Sequence, residues 1–159
     1  MGSIYRITLH WTGGQYKPNA IEKEHYHFMV DSNGKVYEGK YKPEDNINCA
    51  DGKYAQHCGG GNTGNIGVAL CCYYNRDLTP TRVQVEAMCK LVAELSKKYG
   101  VTVNNKNILT HSEFGFTHPD TTSNGKIDID YLPCVSVYGR DQVGDYLREK
   151  IAWYKNKIK

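Results

Sequence analysis

An almost continuous apolar run from Ile66 to Cys72 constrains the fold more than any other stretch of the sequence. A strand that is apolar on both sides belongs in the interior of a sheet whose two faces are both covered. A helix is predicted directly after it, with Thr79 as N-cap, Pro80 as first helical residue and Gly100 as C-cap. Its predicted apolar face comprises Val83, Ala87, Leu91 and Leu95, with Met88 and Val92 beside them.

The remaining elements alternate between strands and helices. Strands are predicted over residues 4–10, 25–31, 35–38 and 108–111, a short helical turn over 18–24, a long loop over 41–65 and a terminal helix over 143–158. The turn Ser32-Asn33-Gly34 joins two of these strands into a hairpin. The prediction is therefore an α/β fold, a single domain over residues 1–159 with a mixed central β-sheet flanked by helices.

Composition narrows the functional classes. Hydrophobic residues make up 40% and charged residues 23%, which is typical of a globular protein, and the net charge is only +3 without a basic run. We therefore expect neither a nucleic-acid partner nor a membrane partner, and we expect a monomer. No secretory signal is visible, so we expect a cytoplasmic protein that is later released to its target, or a secreted one if a signal once preceded residue 1.

Two histidines and one carboxylate suggest a metal site. His10 closes the first strand-like run, and His111 directly follows the apolar pair Ile108-Leu109. Strand ends are where open α/β sheets place their sites. Lys126 and Asp128 follow with the spacing K-x-D, and two imidazoles with one carboxylate form a three-ligand zinc set that leaves a fourth position open. Asp130 and Glu113 compete with Asp128 for the third ligand position.

Five short motifs then give the chain a family resemblance. They are LHWT at 9–12, HYHF at 25–28, NIGVAL at 65–70, LTHSE at 109–113 and K-x-D at 126–128. In this order they resemble the zinc-dependent N-acetylmuramoyl-L-alanine amidases of the phage-lysozyme-like and peptidoglycan-recognition-protein group. The resemblance covers roughly residues 4–130 and implies the same mixed sheet flanked by helices.

The resemblance implies an activity and a set of site residues. The expected reaction is cleavage of the amide between N-acetylmuramic acid and L-alanine in peptidoglycan, in the setting of a phage-type endolysin. Its zinc ion, Zn²⁺, would be held by His10, His111 and Asp128. Lys126 would stabilise the oxyanion, and Tyr26 would position the water or the tetrahedral intermediate. Substrate contacts are expected from His57, Asn62 and Asn65.

The chain also departs from the family pattern. Some relatives carry a glutamate in the central strand, whereas Gly67–Cys71 contains no acid, which favours the tyrosine-using branch and leaves the general base open. Relatives usually have proline after the ligand aspartate, where this chain has Ile129, so the register of Asp128 stays open. Only residues 11–24 separate the first histidine from the HYHF motif, which implies a shortened groove wall.

Two other classes of function remain as alternatives. A non-catalytic peptidoglycan-binding module would typically lack one zinc ligand, and all three positions are filled here. A cysteine hydrolase would use Cys58 and His111 as a dyad, but nothing around Cys58 resembles a nucleophile at a helix N-terminus. Cys71, Cys72 and Cys89 are expected as small buried hydrophobes, whereas Cys49 and Cys58 have the option of a disulfide. His25 and His27 are expected to point away from Tyr26.

Overall fold

The computed structural model describes residues 2–74 and 77–158. Its strands are β1 (Arg6–Trp11), β2 (Phe28–Val30), β3 (Val36–Glu38), β4 (Asn65–Leu70), β5 (Ile108–Thr110), β6 (Tyr131–Leu132) and β7 (Val137–Tyr138). Its α-helices are α1 (Ala20–His25), α2 (Arg82–Tyr99), α3 (His111–Thr117) and α4 (Arg140–Lys157). Short 3-10 turns cover Pro43–Asn46 and Pro133–Val135. None of these described helices is long and apolar enough to cross a membrane.

Five strands form one mixed sheet in the order β3-β2-β4-β1-β5. β4 lies between β2 and β1 and runs parallel to both, β5 runs parallel to β1, and β3 runs antiparallel to β2. The predicted mixed central sheet is therefore confirmed, and the apolar run is its middle strand. β6 and β7 pair with each other in a separate two-stranded hairpin.

One face of the sheet is apolar and is covered by helices α2 and α4. Because side chains alternate along a strand, every second residue points to this helix-covered face. Its strand residues are Ile7, Leu9 and Trp11 from β1 and Ile66, Val68 and Leu70 from β4, and they share the main core with Val85, Met88, Val92, Val143, Leu147 and Ile151. The apolar periodicity of the two long helices thus finds its partner in the strands.

The opposite face is polar and is covered by loops. Thr8 and His10 of β1 point to it, as does Asn65 of β4, and all three are fully buried. Segments 41–64 and 118–130 supply the groups that contact them. We call this side of the sheet the loop-covered face. The adjacent residues Cys71 and Cys72 separate as predicted, since Cys71 packs with Met29 and Cys72 belongs to the main core.

The predicted start of α2 was wrong. Thr79 is not its N-cap: the helix begins at Arg82, with Thr81 as N-cap and Gln84 completing a reciprocal capping box. Val83 was predicted on the apolar face but is 59% exposed, because the buried face of the helix passes through Val85, Met88 and Val92. The predicted end is confirmed, since Gly100 caps the helix with the left-handed φ of 67° that favours glycine.

Two predicted strand boundaries were also wrong. His25 does not open a strand but ends α1, whose N-cap Asn19 forms a capping box with Glu22. His111 does not end a strand but begins α3, which the sequence did not predict and which Thr110 caps. In both places a side chain that accepts from a backbone N–H selects helix over strand. The hairpin of β6 and β7 was not predicted, and α4 begins at Arg140 rather than at residue 143.

Candidate metal centre

The parallel pairing of β1 with β5 brings two histidines together. Leu9 pairs with Thr110, so the next residues along the two strands, His10 and His111, are neighbours. Their ring centroids lie 4.6 Å apart. His10 points to the loop-covered face because Leu9 before it points to the helices, and its side chain is fully buried.

Asp128 completes the cluster from the loop before β6. The backbone N–H of Ser112 donates to the carbonyl of Asp128 at 2.6 Å, which fixes this loop beside the first turn of α3. The carboxylate then reaches both rings, with Oδ2 2.9 Å from Nδ1 of His10 and Oδ1 3.3 Å from Nδ1 of His111. One ligand atom from each of the three residues lies within 4.8 Å of the others.

This donor set fits a zinc ion. Two imidazole nitrogens and one carboxylate oxygen are its usual protein ligands, and three protein ligands are typical of a zinc site that keeps one position open. The competing carboxylates lie elsewhere: Glu113 is bound by Arg148 through two contacts of 2.8 and 2.9 Å. Asp130 is not part of the cluster, and the carboxylate that joins the two histidines is Asp128, the aspartate of the K-x-D motif.

The protonation states of the cluster also suit a cation. Burial lowers the pKa of His10 from 6.5 to about 4, so this ring is neutral and has a lone pair to donate at pH 7. For Asp128, burial alone would raise the pKa, but the close contacts of its carboxylate with the rings of His10 and His111 outweigh burial and lower the pKa. A neutral ring and an ionised carboxylate therefore face each other.

A pocket of about 460 Å³ opens over the cluster. Its lining comprises Trp11, Thr12, Gly13, His25, Tyr26, Gln56, His57, Tyr73, His111, Gly125, Lys126, Ile127 and Asp128. Asp128 is the one carboxylate in this described lining. Lys126 is exposed at the rim, whereas Tyr26 is half-buried, with its ring centroid 5.1 Å from that of His10. Burial and then the charge of Asp128 raise the pKa of Tyr26, so its hydroxyl stays a hydrogen-bond donor.

The two asparagines that were predicted to contact substrate both hydrogen-bond within the protein. Asn65 is fully buried, and its side chain donates to the Gly61 carbonyl and accepts from the Thr8 hydroxyl. The Oδ1 atom of Asn62 accepts from the backbone N–H groups of His57 and Cys58. Both side chains therefore hold the loop together. The buried Asn65 side chain is not available to a ligand, whereas Asn62 is only partly buried and its contact with substrate stays a prediction.

His57 borders the pocket but is engaged by the protein. It is only 6% exposed, its Nδ1 lies 3.0 Å from Nε2 of His10, and its Nε2 lies 2.8 Å from the carbonyl oxygen of Asn65. Burial lowers its pKa well below the ordinary value. Its predicted contact with substrate therefore stays a prediction, while its contact with His10 is a feature that the sequence did not show.

Ser123 and His25 also belong to this site, although the sequence did not predict it. Ser123 contacts the outer nitrogen of His111, with Oγ 2.9 Å from Nε2, and nothing in the sequence around it signalled this. His25 was expected to point away from Tyr26, yet it lines the pocket with Nδ1 2.9 Å from the Gln56 carbonyl, because it ends a helix. His27 is buried, with Nε2 2.8 Å from Oδ1 of Asn46, and it is not among the residues that line this pocket.

The cysteines give no support to a thiol mechanism. All six are free, so the optional disulfide between Cys49 and Cys58 is absent. Cys58 is 1% exposed, and burial raises its pKa to about 11, so the nucleophilic thiolate is scarce at neutral pH. Its sulfur lies 3.8 Å from the Ser123 hydroxyl, and the His111 ring faces Asp128 and Ser123.

Known proteins resemble this chain in sequence pattern and in fold. The family model of N-acetylmuramoyl-L-alanine amidases matches residues 1–128. The solved structure of PlyL is 17% identical with a TM-score of 0.56, covering 95% of this chain and 84% of that one. The endolysine N-acetylmuramoyl-L-alanine amidase LysCS from Clostridium intestinale URNW is 21% identical with a TM-score of 0.51, covering 69% and 70%.

An animal protein shares the fold as well. The Drosophila peptidoglycan recognition protein SD is 17% identical with a TM-score of 0.52, covering 77% of this chain and 76% of that one. No curated protein matches the chain. At these identities the solved structures establish the shared fold, while the sequence match establishes the family.

Proposed function

This chain belongs to the N-acetylmuramoyl-L-alanine amidase family, and we propose on that basis that it hydrolyses the amide between N-acetylmuramic acid and L-alanine in peptidoglycan. Residues 1–159 would act as one catalytic domain. The observation that carries the proposal is the convergence of His10, His111 and Asp128 at one side of an open pocket. A recognition module needs a pocket for its ligand but has no need of three converging metal ligands.

His10, His111 and Asp128 would hold a zinc ion. When bound, zinc supplies an activated water at neutral pH and polarises the carbonyl of the scissile amide. The chain's own contribution is to keep His10 neutral by burying it, and to keep Asp128 ionised through the contacts of its carboxylate with the two histidines.

Lys126 is proposed to stabilise the oxyanion that forms when the amide carbonyl is attacked. Its side chain is exposed at the pocket rim, two residues before Asp128 on the same wall. Its positive charge acts on the cluster. Burial is the main cause of the lowered pKa of His10, and the charge of Lys126 lowers that pKa a little further. A fixed positive charge near a developing negative one stabilises the transition state more than the substrate.

Tyr26 is proposed to orient the reacting oxygen. Its ring packs with Met29 and Ala69 on the loop-covered face, which holds the side chain in place beside His10. Since the hydroxyl stays protonated, it donates a hydrogen bond and does not act as a base. No second carboxylate is present in the described lining to take the role of the glutamate in other amidases.

A phage-type endolysin is the proposed biological setting. LysCS, whose structure shares the fold, is described as an endolysine N-acetylmuramoyl-L-alanine amidase. The proposed substrate of the pocket, and the proposed binding partner of the chain, is a muramyl peptide of the bacterial wall.

The experiment is a product assay on purified peptidoglycan with zinc-loaded protein. We expect new L-alanine amino termini without new reducing sugar ends. A strong chelator should remove the zinc and abolish the activity. Restoring zinc should restore the activity. A protein that binds the wall and keeps its zinc, yet releases no amino termini, would be a recognition module.

A further inference from the structure

Each candidate ligand histidine presents Nδ1 to Asp128 and turns Nε2 towards another part of the protein. A neutral imidazole carries its proton on one nitrogen and its lone pair on the other, and the partner of the second nitrogen decides which. The metal centre therefore needs the proton of both His10 and His111 on Nε2. The groups that receive these two protons are visible in the structure.

The first group is His57, which contacts His10. Its Nε2 lies 2.8 Å from the Asn65 carbonyl oxygen, which only accepts, so Nε2 of His57 must carry the proton. None of the described carboxylates hydrogen-bonds to His57, and a buried charge without such a partner is costly, so the ring is neutral. Its Nδ1 is then an acceptor, and at 3.0 Å it receives the Nε2 proton of His10.

The second group is Ser123, which contacts His111. Its hydroxyl donates to the carbonyl oxygen of Gly59 at 2.7 Å, so the single hydroxyl proton is used there. At 2.9 Å from Nε2 of His111, the serine oxygen can only accept. His111 therefore also has its proton on Nε2 and its lone pair on Nδ1.

We infer that two backbone carbonyls, that of Gly59 in the loop before β4 and that of Asn65 at the start of β4, fix the metal-binding tautomer of both histidines, acting through Ser123 and His57 respectively. His57 and Ser123 are thus positioning residues of the metal centre. The inference deepens the proposed function, because it rests on the same three candidate ligands.

The packing around His57 supports this role. Gly67 of β4 lies directly against its ring: a Cβ at Gly67 would lie 2.5 Å from Cγ of His57, so only glycine leaves room for the imidazole. His27 packs edge-on against the other side, with ring centroids 5.6 Å apart. The ring is therefore held in one orientation from two sides and hydrogen-bonded at both nitrogens.

The direct experiment is long-range ¹H–¹⁵N correlation NMR on zinc-loaded protein labelled in its histidines. We expect His10, His57 and His111 each to carry the ring proton on Nε2, as three neutral imidazoles. A proton on Nδ1 of His57, or a doubly protonated His57, would overturn the inference. Because the experiment uses the unaltered chain, it does not depend on any variant folding.

A variant series separates the tautomer role from packing. His57→Asn keeps an acceptor near the position of Nδ1, while His57→Leu fills the cavity without one. We expect zinc affinity to fall about 10-fold to 100-fold for His57→Leu and about 10-fold for Ser123→Ala, with His57→Asn between wild type and His57→Leu. In the zinc-free protein, His57→Leu should be more stable than His57→Asn, because leucine suits a buried site better than asparagine.

His27→Gln is the matched control. His27 is another buried histidine that touches the ring of His57 but bonds to Gly67 and Asn46 rather than to His10. We expect His27→Gln to lower stability while changing zinc affinity less than about 3-fold, because His27 does not hydrogen-bond to a candidate zinc ligand. Equal losses in His27→Gln and His57→Leu, or unchanged affinity in His57→Leu, would overturn the inference.

Zinc affinity and histidine NMR are measured without substrate. If the wall assay shows no cleavage while the expected tautomers and affinities are found, the proposed function fails and the inference stands. If the chain cleaves the wall but the tautomers differ, the inference alone fails.

Discussion

The two faces of the central sheet are built on different physical principles. On β1, Leu9 points into the helix-covered core and its neighbour His10 points into the loop-covered polar network, and both are buried. Apolar packing on the first face depends on volume and is largely insensitive to direction. Hydrogen bonding on the second face depends on where each donor and acceptor points. The same sheet thus supplies stability on one side and a preorganised site on the other.

This difference predicts that substitutions on the two faces fail in different ways. On the loop-covered face, a change in a candidate ligand or in a catalytic side chain should remove metal or rate, and a change in the helix-covered core should remove stability alone.

Replacing the carboxylate of the cluster has the largest expected effect. Asp128→Ala removes the group that contacts both His10 and His111, so zinc retention and amidase activity should both be abolished. Metal analysis after dialysis, together with the wall assay, measures this. Asp130→Ala is the control, since Asp130 lies outside the cluster. Loss of zinc in the Asp130 variant with retention in the Asp128 variant would show that the wrong aspartate was assigned.

Removing the rim lysine should lower rate without loss of metal. Lys126→Ala deletes a charge that matters chiefly in the transition state, so kcat should fall by about 10²–10³ with little change in KM. Zinc content should stay at the wild-type level because the lysine is not a ligand. Lys90→Ala, an exposed lysine on α2, controls for the change in net charge. An unimpaired Lys126→Ala enzyme would remove the oxyanion role from this residue.

The opposite result is expected on the helix-covered face. Leu147 of α4 is fully buried in the main core, so Leu147→Ala should lower the free energy of unfolding by about 2–5 kcal/mol. Urea unfolding gives this value. At a temperature where the variant is folded, its zinc affinity and kcat should match those of the wild type. A loss of zinc affinity would mean that the two faces are coupled more tightly than their separate contacts indicate.

Acid should destabilise the loop-covered face through its buried histidines. Burial lowers the pKa of His27 from 6.5 to about 4, so between these values the unfolded chain binds a proton that the folded chain does not. The stability that depends on a neutral His27 is therefore fully present above pH 6.5 and is lost as the pH falls from 6.5 towards 4. For His27 alone the loss from pH 7 to pH 5 is about 2 kcal/mol.

Urea unfolding of zinc-free protein at these two pH values measures the effect. His27→Gln should be less stable at pH 7, yet its loss on going to pH 5 should be smaller than that of the wild type by about 2 kcal/mol. An unchanged pH dependence in the variant would mean that His27 is already protonated in the folded protein.

The two faces also differ in how far the sequence revealed them. The apolar run of β4 and the four-residue spacing of α2 predicted the middle strand, the long helix and the mixed sheet, because burial of apolar side chains follows a simple period. The start of α2 was misplaced, because the capping side chain of Thr81 and not the apolar pattern decides that boundary. The cap of Thr110 also begins α3, which the sequence did not predict, and His25 was misplaced because α1 extends one residue beyond its predicted end.

On the loop-covered face, the motif residues His10, His111 and Asp128 were brought together as expected. The residues behind them were not foreseen, because a hydrogen bond such as that of Ser123 depends on the path of an irregular loop and leaves no periodic signal. Asn62 and Asn65 were predicted to contact substrate from the family resemblance, which does not show how a side chain is hydrogen-bonded inside this loop. Their side chains are the loop's own supports.

The central claim is that His10, His111 and Asp128 form one zinc site through Nδ1 of both histidines. An anomalous-difference map of zinc-loaded crystals, recorded at the zinc absorption edge, tests it most directly. The account predicts one peak per chain within bonding distance of both Nδ1 atoms and an oxygen of Asp128, with both Nε2 atoms still turned to His57 and Ser123. A peak bonded through Nε2, or one at another set of residues, would contradict it.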